Sequence, residues 1–340
     1  MEQNQASLSL YPLQFKPIAQ DKIWGGRKLA DKYGKAPQGS RVGESWEVST
    51  VPGNVSVTAN GPLAGQSLQD LVDQYQADLV GQKVWTQYGT DFPMLVKLID
   101  AADKLSVQVH PDDAMAKAEH GQPFGKNEMW YIMDCDPGAE LVIGFNQPLT
   151  REKYAALAGE GKFREILQAV KVKKGDIIDI PAGRLHAICE GNLIIEIQQN
   201  SDTTYRIYDW DRLDDEGNPR ELHQELAEKA LDFAPIEKLV VAKASAPNQV
   251  QNVIANPYFQ TNLIELDGTA TLERSPQNLD SFIAYVCASG EVTIVDTAVR
   301  EKSLITLQAG DSCLIPAYLK KIEIETSRPN QKATLLEAHL

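Results

Sequence analysis

No apolar run in this sequence approaches the length that crosses a bilayer, and its first residues, MEQNQASLSLYPLQF, lack a charged start followed by an apolar core and a cleavage site. A cytoplasmic enzyme is therefore expected rather than a membrane or exported protein. Cysteine is scarce. Cys135, Cys189, Cys287 and Cys313 stand far apart with no Cys-x-x-Cys spacing, which speaks against a disulfide frame or a thiolate metal site and suits reduced, mostly buried thiols. Positive charge is also in deficit, with 33 Lys and Arg against 47 Asp and Glu for a formal charge of -14. Without a basic patch, such a surface repels nucleic acid and anionic membranes. Any anionic partner must be small and locally captured.

What is present is short strands. From Gly138 onward, runs such as ELVIGF, DIIDIPA, NLIIEIQQ, FIAYVCA and SCLIPA are rich in β-branched residues and separated by Gly, Pro or Asn. They predict an antiparallel barrel or jelly roll. Helical spacing interrupts them at Ser67 to Leu79 and at Thr150 to Val170, the second with a break at Gly159 to Gly161. A further helical stretch, ELHQELAEKALDF, follows a polar loop at Asp214 to Pro219.

The chain of 340 residues exceeds the size at which one core usually stops growing. An internal repeat points to how it divides. Gly175-Asp176-Ile-Ile-Asp-Ile-Pro181-Ala182 recurs as Gly310-Asp311-Ser-Cys-Leu-Ile-Pro316-Ala317 with identical spacing. Glycine tolerates the positive φ of a barrel corner, and proline closes a strand without needing an amide donor. Two related barrels are expected, with a catalytic domain at 1–240, a C-terminal β domain at 241–340, and the boundary region near Asn248 to Asn256.

Side chains suited to a zinc or iron site gather in three segments of the first domain: Gln108-Val-His110, Lys126-Asn-Glu128 and Arg184-Leu-His186. On a strand Gln108 and His110 share a face. Two imidazoles, a carboxylate and a weaker amide oxygen can hold a borderline cation and leave a position open for water or substrate. His186 lies five residues after Pro181, whereas the same count after Pro316 reaches Lys321, so the second barrel is expected to lack the site. His120, His223 and His339 lie in polar, helical or terminal segments and read as solvated surface residues.

Six segments, DKIWGGRKLAD, GESWEVS, KLSVQVHPDD, GKNEMWYIMD, IPAGRLHAI and NSDTTYRIYDWDR, resemble in order those of the type I phosphomannose isomerases of the short bacterial form. The resemblance covers nearly the whole chain, without the larger helical insertion of the longer isomerases. It implies a mainly β, double-stranded β-helix (cupin/jelly-roll) bicupin with appended α-helices. It implies one Zn2+ per chain on Gln108, His110, Glu128 and His186, an active-site Arg206, and acid-base candidates at Lys126 and Glu196. Trp24 and Glu44 fall in segments near the mouth of the family's site. The implied reaction interconverts mannose 6-phosphate and fructose 6-phosphate through an enediolate; a small sugar phosphate is the partner, and the chain is a monomer or dimer. Two other readings compete: a non-haem iron bicupin oxygenase, which uses the same two-histidine, one-carboxylate set, and a non-catalytic sugar-binding bicupin. The cations at Lys126 and Arg206 argue against a neutral aromatic substrate.

Overall fold

The computed structural model describes residues 9–160, 162–213, 216–234, 236, 246–268, 270–297, 304–328 and 330–340. The chain is mainly β, its strands paired antiparallel, and it gathers into two compact units. One comprises residues 19–46 and 94–243; the other comprises 1–18, 47–93 and 244–340. Compactness thus does not divide the chain at a single point, and the expected 240/241 boundary lies outside the described residues.

In the first unit the strands Met94–Asp100, Asn192–Gln199, Glu128–Cys135 and Ile177–Ile180 lie side by side in that order within a six-stranded sheet. A second sheet runs Tyr205–Tyr208, Val107–Val109, His186–Ile188, Glu140–Phe145, Leu167–Lys171. Every residue of Met94–Asp100 and Asn192–Gln199 is buried, on both faces of the sheet, so the polar side chains among them, Lys97 and Glu196 included, must find partners inside the fold. Isoleucines from both sheets, among them Ile99, Ile132, Ile143, Ile180, Ile188 and Ile194, meet with Trp130 in one core.

The second unit repeats the plan. Gln260–Asp267, Lys332–His339, Ile283–Ser289 and Ser312–Ile315 follow one another in one sheet; Leu272–Arg274, Ile322–Thr326, Glu291–Asp296 and Leu304–Gln308 make the other. The repeated Gly-Asp turns match in detail. Gly175 and Gly310 have φ of 88° and 91°. Each donates its amide across 2.8 Å, to Ile132 and Cys287 respectively, and Asp176 and Asp311 accept the amides of Lys173 and Gln308.

This register corrects one expectation. His186 lies between Gln108 and Ile143, and the second unit's counterpart between Arg274 and Asp296 is Ile322, not Lys321, because its turn is one residue longer. Ile322 is fully buried.

The helical expectations hold in part. Ser67 caps Leu68–Tyr75 by accepting the amide of Asp70, and the helix is interrupted at Gln76, φ 48°, before Ala77–Val80. Thr150 caps Arg151–Gly159, but the rest of the expected helix is a 3-10 turn, Phe163–Ile166, and the strand Leu167–Lys171. Pairing with Glu140–Phe145 overrides the three- and four-residue spacing there. Gly161, Asp214 and Asp215 lie outside the described residues. Gln224–Ala230 is helical as expected. Within the expected boundary region of Asn248 to Asn256, Val250–Ala255 forms a strand that pairs with Gln260–Asp267. Among the described residues no helix is long and apolar enough to cross a membrane, and all four cysteines are free.

Inside the second unit, Glu337 is fully buried and accepts two bonds from Arg274 (2.6 and 2.8 Å), one from Tyr285 Oη and one from Asn262. Arg274→Ala would leave that carboxylate without its counter-charge, a change that typically costs about 3–5 kcal/mol. Urea unfolding should register the loss, while the folded fraction keeps wild-type kcat/KM because this network contains none of the candidate site residues.

Candidate active site

Backbone links bring the three candidate segments together before any side chain is considered. The Gly183 amide donates to the His110 carbonyl at 3.0 Å, tying the turn before His186 to the segment after Val107–Val109. Gly183 has φ of 83°, where a side chain would be strained, so the glycine of IPAGR belongs to this turn. The Lys126 amide donates to the Pro111 carbonyl, and Gln108 pairs with His186 across the sheet.

The result is a fully enclosed ligand cluster. His110 Nε2 lies 3.3 Å from Glu128 Oε1, and His186 Nε2 lies 3.8 Å from Glu128 Oε2. The three groups are buried, with their ligand atoms within 4.8 Å of one another. Nδ1 of His110 faces the Thr203 carbonyl at 3.0 Å and Nδ1 of His186 faces the Arg184 carbonyl at 2.8 Å. Since carbonyls only accept, both rings carry their proton on Nδ1 and turn Nε2 lone pairs inward, as metal-ligating histidines do. Glu128 Oε2 is buried with no hydrogen-bond partner, an orphan acceptor that a cation would satisfy. The donor set fits a divalent cation of zinc or iron type. Gln108 reaches the cluster with its amide nitrogen, 3.2 Å from His186 Nε2; ligation through oxygen requires the amide to be flipped.

Electrostatics report the same demand for positive charge. Burial alone would raise the Glu128 carboxyl, yet Lys126, His110 and His186 hold it well below the usual carboxylate range. Burial, then Lys126, pushes the His110 imidazole down to about 3, and burial pushes His186 down to about 4. Lys126 turns its ammonium into this cluster, contacting Glu128 Oε1 and lying 3.0 Å from His110 Nε2.

Beside the cluster lies a cavity of about 280 Å³ whose wall includes Trp24, Glu44, Gln108, Lys126, Glu196 and Arg206. Glu196 sits on a strand between Lys97 and Trp130. It is buried rather than solvated, accepts from Trp130 Nε1 at 2.8 Å and lies 3.4 Å from Lys97 Nζ. Burial and the Glu128 carboxylate raise its pKa. Glu44 is lowered despite burial, because Lys97 and Lys22 face it and Trp46 donates to it. Trp24 packs into the core as well as lining the cavity. The glycines after it are dictated by close approach: a Cβ on Gly26 would stand 2.1 Å from Asp100 Oδ2. The structure therefore brings all nine candidate residues to one cavity and the adjoining cluster of His110, Glu128 and His186.

Sequence reasoning missed Lys97, Trp130 and Arg220. Lys97 had a signal, a charge flanked on both sides by apolar residues in the strand MLVKLID. Two histidines depart from the surface reading. His223 Nδ1 accepts the Arg206 amide at 3.0 Å, and His339 is buried beside Asn262. His120 is exposed as expected, with Nε2 2.9 Å from Tyr205 Oη.

Comparison with known proteins places this geometry. The model of the phosphomannose isomerase type I catalytic domain matches residues 12–146. A mannose-6-phosphate isomerase of Bacillus subtilis (strain 168) is 35% identical, covering 92% of this chain and 96% of its own. One from Streptococcus mutans is 32% identical over 94% of this chain and 99% of its own. The crystal structure of mannose 6-phosphate isomerase from Bacillus subtilis is similar with a TM-score of 0.84 at 31% identity, covering 97% of this chain and 100% of that one.

The buried imidazoles set a pH dependence. Their folded pKa values lie below the 6.5 of the free group, so the folded chain binds fewer protons than the unfolded chain as pH drops below about 6.5. Their contribution is complete above that pH and is lost toward pH 4, by up to about 1.4 kcal/mol per pH unit for each ring. Urea denaturation of chelator-treated protein between pH 7 and 5 should show this slope, and His186→Gln should make it shallower.

Proposed function

The chain belongs to the type I phosphomannose isomerase family and is an aldose-ketose isomerase, and from this premise we propose that it interconverts mannose 6-phosphate and fructose 6-phosphate through an enediolate, with zinc in the His110, Glu128 and His186 cluster. Family membership sets aside the oxygenase and non-catalytic readings. Residues 1–240 carry the chemistry in this reading, and 241–340 form the second barrel of a bicupin. A cytoplasmic setting, one ion per chain and a monomeric or dimeric state complete it.

The observation that carries the mechanism is the placement of Glu196: a buried carboxylate on the cavity wall, fixed by Trp130 and Lys97, beside the metal cluster. The reaction removes the proton from C2 of the open-chain aldose, passes through an enediolate shared by C1 and C2, and returns a proton to C1. Glu196 takes and returns that proton. Lys126 is the weaker candidate, because its ammonium already faces Glu128 and His110. Instead it holds the ligand cluster's charge in place. The cation, when bound through His110, Glu128, His186 and the flipped Gln108, supplies positive charge that polarises the sugar oxygens. Arg206 reaches the same cavity and binds the anionic end of the substrate.

A coupled assay with mannose 6-phosphate tests this reading. Chelation should abolish turnover and zinc return restore it, and Glu196→Gln should lower kcat by at least about 10³-fold at nearly unchanged KM. A base must be ionised to act, so the acid limb of kcat should lie above the 4.5 of an ordinary glutamate, with activity falling as pH drops through it. A folded, zinc-loaded wild type without turnover would overturn the proposal.

A further inference from the structure

The charges around the cavity do not all cancel in pairs. Lys126 is matched by Glu128, Lys97 lies 3.4 Å from Glu196, and Lys22 lies 3.9 Å from Glu44. Two guanidiniums on the cavity wall, Arg206 and Arg220, are left in excess. Arg220 has a carboxylate neighbour, the buried Asp209, but holds it loosely. Its Nη1 stands 3.4 and 3.5 Å from the two oxygens, while Arg212 Nη2 takes one of them at 2.6 Å. One carboxylate thus serves two arginines, and Arg212 has the shorter bond. Arg206 donates from Nη1 to the Glu221 carbonyl, a neutral acceptor, and its Nε is buried without a partner. Asp202 also lines the wall, but it is exposed.

The segment that supplies Arg220 also fixes Arg206. His223 donates its amide to the Arg206 carbonyl at 2.8 Å and accepts the Arg206 amide on Nδ1 at 3.0 Å; Gln224 donates to the Ile207 carbonyl at 2.7 Å. Arg-Glu-Leu-His-Gln therefore clamps the edge strand while placing its own guanidinium on the same cavity. Burial first, and the neighbouring Arg220 charge second, lower the Arg206 pKa. Asp209 offsets part of this repulsion for both guanidiniums, but Arg212 holds that carboxylate at the shorter distance.

We propose that Arg220 is a substrate-binding residue that, together with Arg206, forms a two-guanidinium clamp on the phosphate group of the hexose phosphate. A phosphate monoester carries about -1.5 to -2 charges near neutral pH and presents three acceptor oxygens, a match in charge and number for two planar forks. A lysine cannot reproduce that geometry. The assignment rests on the isomerase reading and deepens it: Lys126 serves the metal cluster, and the phosphate is read by Arg206 and Arg220.

The test compares wild type, Arg220→Gln and Arg220→Lys in the zinc-loaded enzyme, with inorganic phosphate as a competing probe. Arg220→Gln should raise KM for mannose 6-phosphate about 30-fold and weaken inhibition by inorganic phosphate to a similar degree, with kcat within about threefold. Arg220→Lys, which keeps the charge facing Asp209 but loses the fork, should fall between. Unchanged KM and unchanged phosphate inhibition in a folded Arg220→Gln, alongside an active wild type, would overturn the assignment while leaving the isomerase reading intact. Should Arg220→Gln not fold, Arg220→Lys decides alone: a KM rise of several fold supports the clamp, and wild-type KM overturns it. An inactive zinc-loaded wild type is the separate outcome that removes the isomerase reading.

Discussion

A carboxylate and two imidazoles buried almost completely out of water must be met by a positive charge, and the architecture of the first unit follows from that need. Glu128 cannot stay ionised in such surroundings without a cation beside it. The chain provides for one by fixing the Nδ1 protons of His110 and His186 on backbone carbonyls, so that the lone pairs converge on the carboxylate. Lys126 contributes an ammonium to the same point. Glu128 and His186 stand on buried strand positions, and His110 and Lys126 are tied in through backbone bonds with Gly183 and Pro111, which holds the ligand atoms close to one another.

The second unit shows what the same scaffold does when this demand is removed. Register places Ile283 where the first unit has Glu128, Ile322 where it has His186, and Arg274 where it has Gln108. The buried glutamate on the central strand remains: Glu337 faces Tyr285 as Glu196 faces Trp130, and each accepts a hydrogen bond from that aromatic. Its counter-charge is a guanidinium from within the chain, where Glu196 has Lys97. Arg274 closes the second interior with a bidentate bond, whereas Lys97 is shared between Glu44 and Glu196 and leaves Glu196 on a cavity wall. Under the proposed mechanism, a glutamate that is structural in the second unit has its counterpart in the first available for proton transfer.

Much of this was legible in the sequence because it resides in local patterns. Strand runs, the repeated Gly-Asp corner and the Gln-x-His and Lys-x-Glu spacings each depend on neighbours a few residues apart, and the candidate ligands lie in segments that also carry the family resemblance. What escaped depends on pairing between distant strands. Counting after Pro316 led to Lys321, whereas the ladder leads to Ile322, since a turn can absorb one residue without disturbing the sheet. Leu167–Lys171 has helical spacing but is held as a strand by Glu140–Phe145. His223 reads as a solvated helix residue until the fold sets it against the Arg206 amide. No short-range signal distinguishes a histidine that holds a backbone from one that faces water.

The overall charge of the chain and the charge of its cavity have opposite signs, and the contrast bears on selectivity. A formal charge of -14 repels any anion approaching the surface at large. Arg206 and Arg220 reverse that locally, in a partly enclosed cavity where field lines are less screened than at an exposed patch. A compact phosphate monoester can enter such a region and be gripped, whereas a polyanion would bring most of its charges against the acidic exterior. In the proposed reading, metal binding and phosphate capture are thus separated in space. The cluster buried under Lys126 satisfies one charge and the arginine pair at the cavity wall satisfies the other, so that neither cation site has to serve both ends of the substrate.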